Sequence, residues 1–391
     1  MPVIFLSIKL MGGHCFIGFL RPLINHKNNL FFYGSMELDT CIINLGYVAC
    51  YFLVANIIFL EAPVGVGFSY TNNSKDLREL GDRIFAIDNY AFLTGWFQRF
   101  PSFKSHDFYI AGESYAGHYV PQLVELIYEG NKDPKKRLLH KSQGIHDRKG
   151  LIDYAWSHAI ISDHVYHGLV QDCDFSLENQ TRDCDLNIAK LLKSYADIDI
   201  FSIYSPICLD GYRKAVSSKP VVAPRLHTRY DRWHKLASGY DPCAEDYILK
   251  YFNNKDVQQA LHANITNLSY PYSLCSAVIE KWNDSPNTVL PVIKKLLRAG
   301  LRIWIYSGDT DGRVPVTSTR YSINKMGLKV KKEWRAWFHK LQVAGWVAEY
   351  EGGLTFATIR GAGHQVPVFA PDQALALVSH FLSSETLPSS R

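Results

Sequence analysis

Asp107-Phe-Tyr-Ile-Ala-Gly-Glu-Ser-Tyr-Ala-Gly-His-Tyr-Val-Pro-Gln122 is the stretch whose reading decides the fold. Its apolar start, Phe108 to Ala111, predicts a buried strand, and Val120 to Tyr128 continues at helical spacing. Between them Gly112-Glu113-Ser114-Tyr115-Ala116-Gly117 has to turn sharply, with Ser114 at the apex. That is the form of a nucleophile elbow, in which a tight strand-to-helix turn lifts a serine hydroxyl clear of neighbouring backbone. Gly112 and the small pair Ala116-Gly117 avoid collision with the strand and the helix. The plainer alternative is a Gly-rich turn whose serine caps the helix by accepting a backbone N–H.

Two further strand ends carry chemistry. Leu301 to Tyr306 predicts a buried strand, followed by Ser307-Gly308-Asp309-Thr310-Asp311-Gly312. Trp346 to Tyr350 and Leu354 to Ile359, joined through Gly352-Gly353, predict a β-hairpin. After it comes a Gly-rich loop, Gly361-Ala-Gly363-His364-Gln-Val-Pro367. Ser114, Asp311 and His364 thus follow in the chain order of an α/β-hydrolase triad. A serine hydroxyl is a poor nucleophile until a base takes its proton, which assigns that task to His364. An acid would hold the imidazole tautomer and stabilise the imidazolium. Asp309 and Asp311 both stand near enough. Asp311 is favoured, because it lies three residues past Gly308 and can reach back.

Upstream, Asn56-Ile-Ile-Phe-Leu60 predicts a buried strand, and Glu61-Ala-Pro-Val-Gly-Val-Gly67 a Gly/Pro loop. No helix follows those glycines directly and no Gly-Lys-Ser/Thr appears, so they do not cradle phosphate. A helix capped by Asp82 is expected through Phe97, with its aromatics in the core. Residues 150 to about 250 turn loop-rich, with helices expected at Tyr154–His164 and Ile188–Tyr195, and read as an insertion. Pro371 opens the last helix, through Phe381. Residues 21–44 show no steady period and receive no assignment.

Composition narrows the function classes. Hydrophobic residues make up 47% of the 391, enough for a large core, and the net charge of +5 is spread along the chain. Without a basic stripe interleaved with aromatics, nucleic-acid binding is not expected. Eight cysteines form no Cys-x-x-Cys and no zinc spacing, so neither a metal nor a cofactor is expected. Four of them fall between residues 173 and 243, where two disulfides in an oxidising compartment are expected. Sequons at Asn72, Asn179, Asn264, Asn267 and Asn283 point the same way. Residues 1–20 read as a poor signal sequence and fall short of the ~20 unbroken apolar residues of a membrane span.

Four motifs together resemble the serine carboxypeptidases, above all the plant serine-carboxypeptidase-like proteins. They are Asp107 to Gln122, Glu61-Ala-Pro-Val-Gly-Val-Gly-Phe-Ser-Tyr70, Gly308-Asp-Thr-Asp311 and Gly361-Ala-Gly-His-Gln-Val-Pro367. The resemblance implies an α/β-hydrolase fold: a central, mostly parallel sheet flanked by helices, with a helical, disulfide-linked insertion. It divides the chain into an atypical N-terminus (1–44), a first part of the core (45–150), the insertion (151–245) and a second part of the core (246–391). It implies release of C-terminal amino acids from peptides at acid pH, in a secreted or vacuolar glycoprotein, and it admits a homodimer. By the same resemblance the Tyr115 N–H is an oxyanion donor and Glu113 binds the substrate carboxylate. Cys173 pairs with Cys184, and Cys208 with Cys243.

The chain also departs from the family. The Asn-Gly-Gly-Pro-Gly-Cys-Ser-Ser segment, which supplies a second oxyanion N–H, has only the echo Leu10-Met11-Gly12-Gly13-His14-Cys15. Gly13 would supply that N–H and Cys15 would pair with Cys275. A strand expected just before Lys149-Gly-Leu-Ile-Asp-Tyr-Ala-Trp156 is also lacking. Two alternatives follow: a catalytically impaired relative acting as a binding protein, and an acyltransferase of the same family.

Overall fold

The apolar run around Ile57 and the strand around Phe356 each have neighbours on both sides, in two different sheets. The computed structural model describes residues 54–132, 147–175, 177, 179–209, 240–274, 276 and 278–391, with the strand backbone at 4–5, 8–10, 13–20 and 29–33. The chain divides into two units, Met1–Ile145 with Glu245–Leu301, and His146–Ala244 with Arg302–Arg391.

The first unit holds β1 (Ile4–Phe5), β2 (Ile8–Leu10), β3 (Gly13–Leu20), β4 (Asn29–Tyr33), β5 (Asn56–Glu61), β6 (Tyr70–Thr71) and β7 (Asp107–Ala111). Their order is β1-β3-β5-β4-β7, with β2 and β6 also pairing β3. β4 runs parallel to both neighbours, Phe31 standing opposite Ile57 on one side and Tyr109 on the other. Residues 29–33, which carry no periodic signal, therefore lie at the centre of the parallel part of this sheet. Leu30-Phe-Phe-Tyr33 is an apolar run too short to tell a buried strand from a piece of helix by pattern. β5 has β3 and β4 as neighbours, and Ile57 and Ile58 are fully buried, as its continuous apolar run requires.

Three helices of this unit are α1 (Ser74–Glu79), α2 (Asp82–Arg99) and α3 (Ala116–Lys132). Asp82 is the first helical residue of α2 rather than its cap, which is Gly81. Phe85, Phe92 and Trp96 of α2 meet Tyr119 and Leu123 of α3 and Ile58 and Leu60 of β5 in one cluster. Each such side chain contributes about 1.5–3 kcal/mol by leaving water.

The second unit begins with three helices, α4 (Arg148–Ser157), α5 (Asp163–Asp172) and α6 (Arg182–Ser194). Asp147, Ser162 and Thr181 cap them by accepting the N–H groups of Gly150, Val165 and Cys184. These caps correct the sequence reading. The helix expected at Tyr154–His164 is two helices parted by Ala159 at φ +54°, and the one expected at Ile188 starts six residues earlier. Ile152, Tyr154, Leu169, Leu191 and Tyr195 form a core inside this helical segment. The disulfides Cys173–Cys184 and Cys208–Cys243 are both formed. The expected Cys15–Cys275 pairing lies outside the described residues.

A second, mixed sheet completes this unit: β8 (Ile303–Gly308), β9 (Val330–His339), β10 (Gln342–Tyr350) and β11 (Leu354–Ile359), in the order β8-β11-β10-β9. The expected hairpin is β10–β11, with Val347 opposite Ala357, and β11 runs parallel to β8. β9 has no counterpart in the sequence reading. Lys331, Lys332 and Glu333 are exposed along this edge strand, where charge discourages pairing with another chain. Its turn to β10 is Lys340-Leu341, both at positive φ, which is a type I′ turn made without glycine or asparagine. α7 (Val316–Lys325) crosses α4 at backbone distance, since a Cβ on Gly150 would stand 2.4 Å from Ser318 Cα. α8 (Pro371–Ser383) closes the chain with Pro371 at its first position.

β7 ends one sheet and β8 ends the other. Among the described residues, no strand falls between them in sequence. Among the described residues, no helix is long and apolar enough to cross a membrane.

Candidate active site

In the first unit, the backbone at Ser114 turns left-handed, at φ +62°. A helix cap occupies the β region, so this conformation sets aside the capping alternative. A non-glycine residue held there costs on the order of 1–3 kcal/mol, and such strain gathers at functional sites. The turn closes through Ala116 N–H to Glu113 O at 3.1 Å and Gly117 N–H to Ser114 O at 2.9 Å. Ser114, Glu113 and Tyr115 are each half-buried.

Tyr115 is tied down through its ring. Its hydroxyl donates to Asp82 Oδ1 at 3.1 Å and makes a short contact with Ser285 Oγ. Asp82 is almost fully buried and also accepts from Trp282 Nε1 at 2.7 Å and Gln122 Nε2 at 2.6 Å. Three donors offset the cost of burying its charge. The Tyr115 ring stacks on His118 at 4.4 Å. Burial pushes the Tyr115 phenol far above its ordinary range.

The first unit buries a further acid, Glu61, to which no role was assigned from sequence. Glu61 closes β5, 5% exposed, and its Oε2 accepts Phe68 N–H at 2.8 Å and the Ser69 hydroxyl at 3.2 Å. Burial raises its carboxyl to about 8, although those hydrogen bonds pull it back. Gly67, at φ +54°, is the residue that makes room: a Cβ there would meet Glu61 Oε1 at 2.0 Å. The available signal was an acid ending a strand buried on both faces.

The second unit brings Asp311 and His364 together. His364 Nδ1 lies 2.8 Å from Asp311 Oδ2, with both residues buried. Asp311 Oδ1 accepts the N–H groups of Arg313 at 2.7 Å and Val314 at 3.0 Å, so both carboxylate oxygens are fixed. Asp309 turns elsewhere and accepts Gly361 N–H at 2.7 Å. Of the two acids, Asp311, the one favoured from sequence, is the one that faces His364 Nδ1. With Nδ1 facing a carboxylate, the imidazole keeps its proton there and presents Nε2 as an acceptor.

Gly13 opens β3, opposite Leu10 on one side and Thr71 on the other. It is a ladder residue, paired on both sides. Among the described residues, no group of His, Cys, Asp and Glu is arranged to hold a metal ion.

Comparison with known proteins bears on this arrangement. The family described as serine carboxypeptidase matches residues 52–384. Serine carboxypeptidase-like 35 of Arabidopsis thaliana is 59% identical over 351 residues, 86% of this chain and 73% of that protein. Serine carboxypeptidase 24 of the same plant is 47% identical over 347 residues, 86% of this chain and 74% of that protein. Among solved structures, a prohormone-processing carboxypeptidase from Saccharomyces cerevisiae superposes with a TM-score of 0.68 at 16% identity, covering 95% of this chain and 87% of that one. That likeness establishes the α/β-hydrolase fold. With its family match spanning most of the sequence, the chain belongs to the serine carboxypeptidase family.

Proposed function

We propose that the protein is a serine-type carboxypeptidase that releases C-terminal residues from peptides at acid pH through an acyl-enzyme. The observation that carries this reading is the buried His364–Asp311 pair, because a serine needs such a base to become a nucleophile. Ser114 attacks the scissile carbonyl while His364 Nε2 takes its proton, and the imidazolium then protonates the leaving amine. Asp311 stabilises that imidazolium. The Tyr115 N–H donates to the oxyanion. Glu113 meets the substrate's terminal carboxylate, and two adjacent carboxylates cannot comfortably both ionise. Binding therefore requires a proton on one of them, which favours acid pH.

The test is hydrolysis of a blocked dipeptide with a free C-terminus, from about pH 4 to about 8, by wild type and Ser114→Ala. Wild-type activity that falls as pH rises, and a loss of at least ~10³-fold in the variant, are expected. Absence of any Ser114-dependent turnover refutes the reading. The place of Gly13 within a strand ladder favours a second reading, a binding protein built on an impaired site. Failure of a fluorophosphonate to label Ser114 would support it. Transfer from a glucose ester to an acceptor without peptide cleavage would instead mark an acyltransferase.

Secretion and glycosylation belong to the same reading, and the two disulfides fit an oxidising compartment. The sequons are not equivalent. Asn72, Asn179 and Asn267 are exposed. Asn264 Nδ2 donates to Gln258 at 3.0 Å, and Asn283 Nδ2 donates to Arg78 O at 2.6 Å and Leu80 O at 2.9 Å. Glycopeptide mapping is expected to find glycans at the first three and an unoccupied Asn283, whose amide protons are both in use. Full occupancy at Asn283 would contradict this.

A further inference from the structure

We infer that Asp199 is a positioning residue for His364, acting through the backbone of Phe201, so that the helical insertion builds part of the acid–base machinery. The inference rests on the peptidase reading for its kinetic consequence, but its geometry lies wholly within the second unit.

His364 is held at two places. Its ring is fixed by Asp311, as described, and its backbone N–H donates to Phe201 O at 2.7 Å. Phe201 belongs to the insertion, some 160 residues earlier in the chain. Its own N–H donates to Asp199 Oδ1 at 2.9 Å, and Ser202 N–H donates to Asp199 O at 3.1 Å. Asp199 thus folds residues 199–202 into a tight turn that aims one carbonyl at His364. The turn is sewn in on its other side as well. Ile203 N–H donates to Thr310 O at 3.0 Å, and Gly312 N–H donates to Ile200 O at 3.0 Å.

The contact leaves little slack. A Cβ on Gly363 would stand 2.3 Å from Phe201 O, so the sequence before His364 must be glycine for the two backbones to meet. The Phe201 ring lies 5.3 Å from the His364 ring and limits its swing. Asp199 is itself anchored, since Tyr240 donates its hydroxyl to Oδ2 at 2.7 Å while its ring packs on Phe369 at 4.3 Å. Tyr240 stands three residues before Cys243, whose disulfide to Cys208 closes the segment between them. A path of direct contacts therefore runs from Tyr240 through Asp199 and Phe201 to His364.

A carboxylate is the right group for this place. It accepts two donors at once, one from backbone and one from phenol, and hydrogen bonds to a charged acceptor are the stronger kind. Alanine would release both. Asparagine would keep the acceptor for Phe201 N–H, but its amide would turn a donor toward Tyr240.

The test uses the full chain carrying Asp199→Ala, Asp199→Asn or Tyr240→Phe. The first readout is independent of catalysis: the NMR titration of His364 Cε1–H and the far-downfield resonance of its Nδ1 proton. Asp199→Ala is expected to broaden the Nδ1 proton and shift the titration. Tyr240→Phe should do the same to a smaller degree, and it decides the matter if the alanine variant fails to fold. In dipeptide hydrolysis, Asp199→Ala is expected to lower kcat about 10- to 100-fold with KM unchanged, as a misplaced base does. Asp199→Asn should recover part of that loss. If wild type proves inactive, the peptidase reading falls while the NMR outcome still decides this one. Unchanged His364 resonances in both Asp199→Ala and Tyr240→Phe overturn the inference.

Discussion

Asp311→Asn is expected to lower kcat about 10⁴-fold while leaving KM and folding nearly unchanged. The size follows from the hydrogen bonds around that carboxylate. Oδ1 accepts from Arg313 and Val314 N–H, and Oδ2 faces His364 Nδ1. An asparagine keeps its oxygen on the two backbone donors, because an amide nitrogen there would leave both N–H groups unmatched. Its NH₂ then faces Nδ1 and donates to it. The imidazole must carry its proton on Nε2 instead, the atom that in the proposed mechanism receives the proton of Ser114. Geometry survives and the base is lost. Asp309→Asn offers the control, since its oxygen can still accept Gly361 N–H. It is expected to cost less than about tenfold, by a small displacement of the His364 loop. Steady-state kinetics on one dipeptide with both variants separates the two acids. Greater damage from Asp309→Asn would return the acidic role to Asp309.

What the sequence made legible was local. The elbow declared itself because a strand, a small-residue turn and a helix lie within sixteen residues, and Ser114 does adopt the left-handed turn. β5 was legible as an apolar run buried between two neighbours, β8 as the run Ile303 to Tyr306 at the end of its sheet, and β11 as the second arm of a hairpin joined through Gly352-Gly353. The insertion disulfides followed from resemblance and are formed. β4 escaped because Asn29 to Tyr33 is short, and because its place between β5 and β7 is set by strands far along the chain. β9 escaped for a different reason. Its outer half is charged, and its turn is Lys340-Leu341, neither of which belongs to the residues that usually mark a hairpin. The buried acids were hidden for a third. Asp82 read as a helix cap, which is what its neighbours in sequence suggest, yet three of its donors come from Tyr115, Gln122 and Trp282. Asp199 read as loop. Polar groups acquire such roles through partners that folding brings from elsewhere, and no local pattern encodes that.

Glu61 leads to the second large effect, on stability as a function of pH. Its carboxyl titrates near 4.5 in the unfolded chain and at about 8 when folded, because burial disfavours the charge. Below about pH 4.5 both states are protonated and the contribution of this group is fully present. As pH rises from there toward 8, the unfolded chain releases the proton while the folded protein still binds it. Stability then falls by up to ~1.4 kcal/mol per pH unit, on the order of 5 kcal/mol across the interval as an upper bound. Above about 8 the folded carboxyl ionises too and the loss levels off. Asp88, lifted to about 6 by burial and then by the charge of Asp76, acts in the same direction. The decline in wild type therefore has more than one source, and the variant Glu61→Gln isolates its largest part. Glutamine keeps an oxygen for Phe68 N–H and the Ser69 hydroxyl, cannot ionise, and leaves a buried NH₂ that costs about 1–3 kcal/mol at every pH. Urea unfolding at about pH 5 and about pH 8 should show the variant less stable than wild type in acid and more stable in alkali. Parallel declines in the two proteins would mean that Glu61 ionises without penalty and is not closed off by Gly67 and its loop. A crossing of the two curves would tie the fold to acid conditions through one carboxyl, independently of whether the site that Ser114 serves is active there.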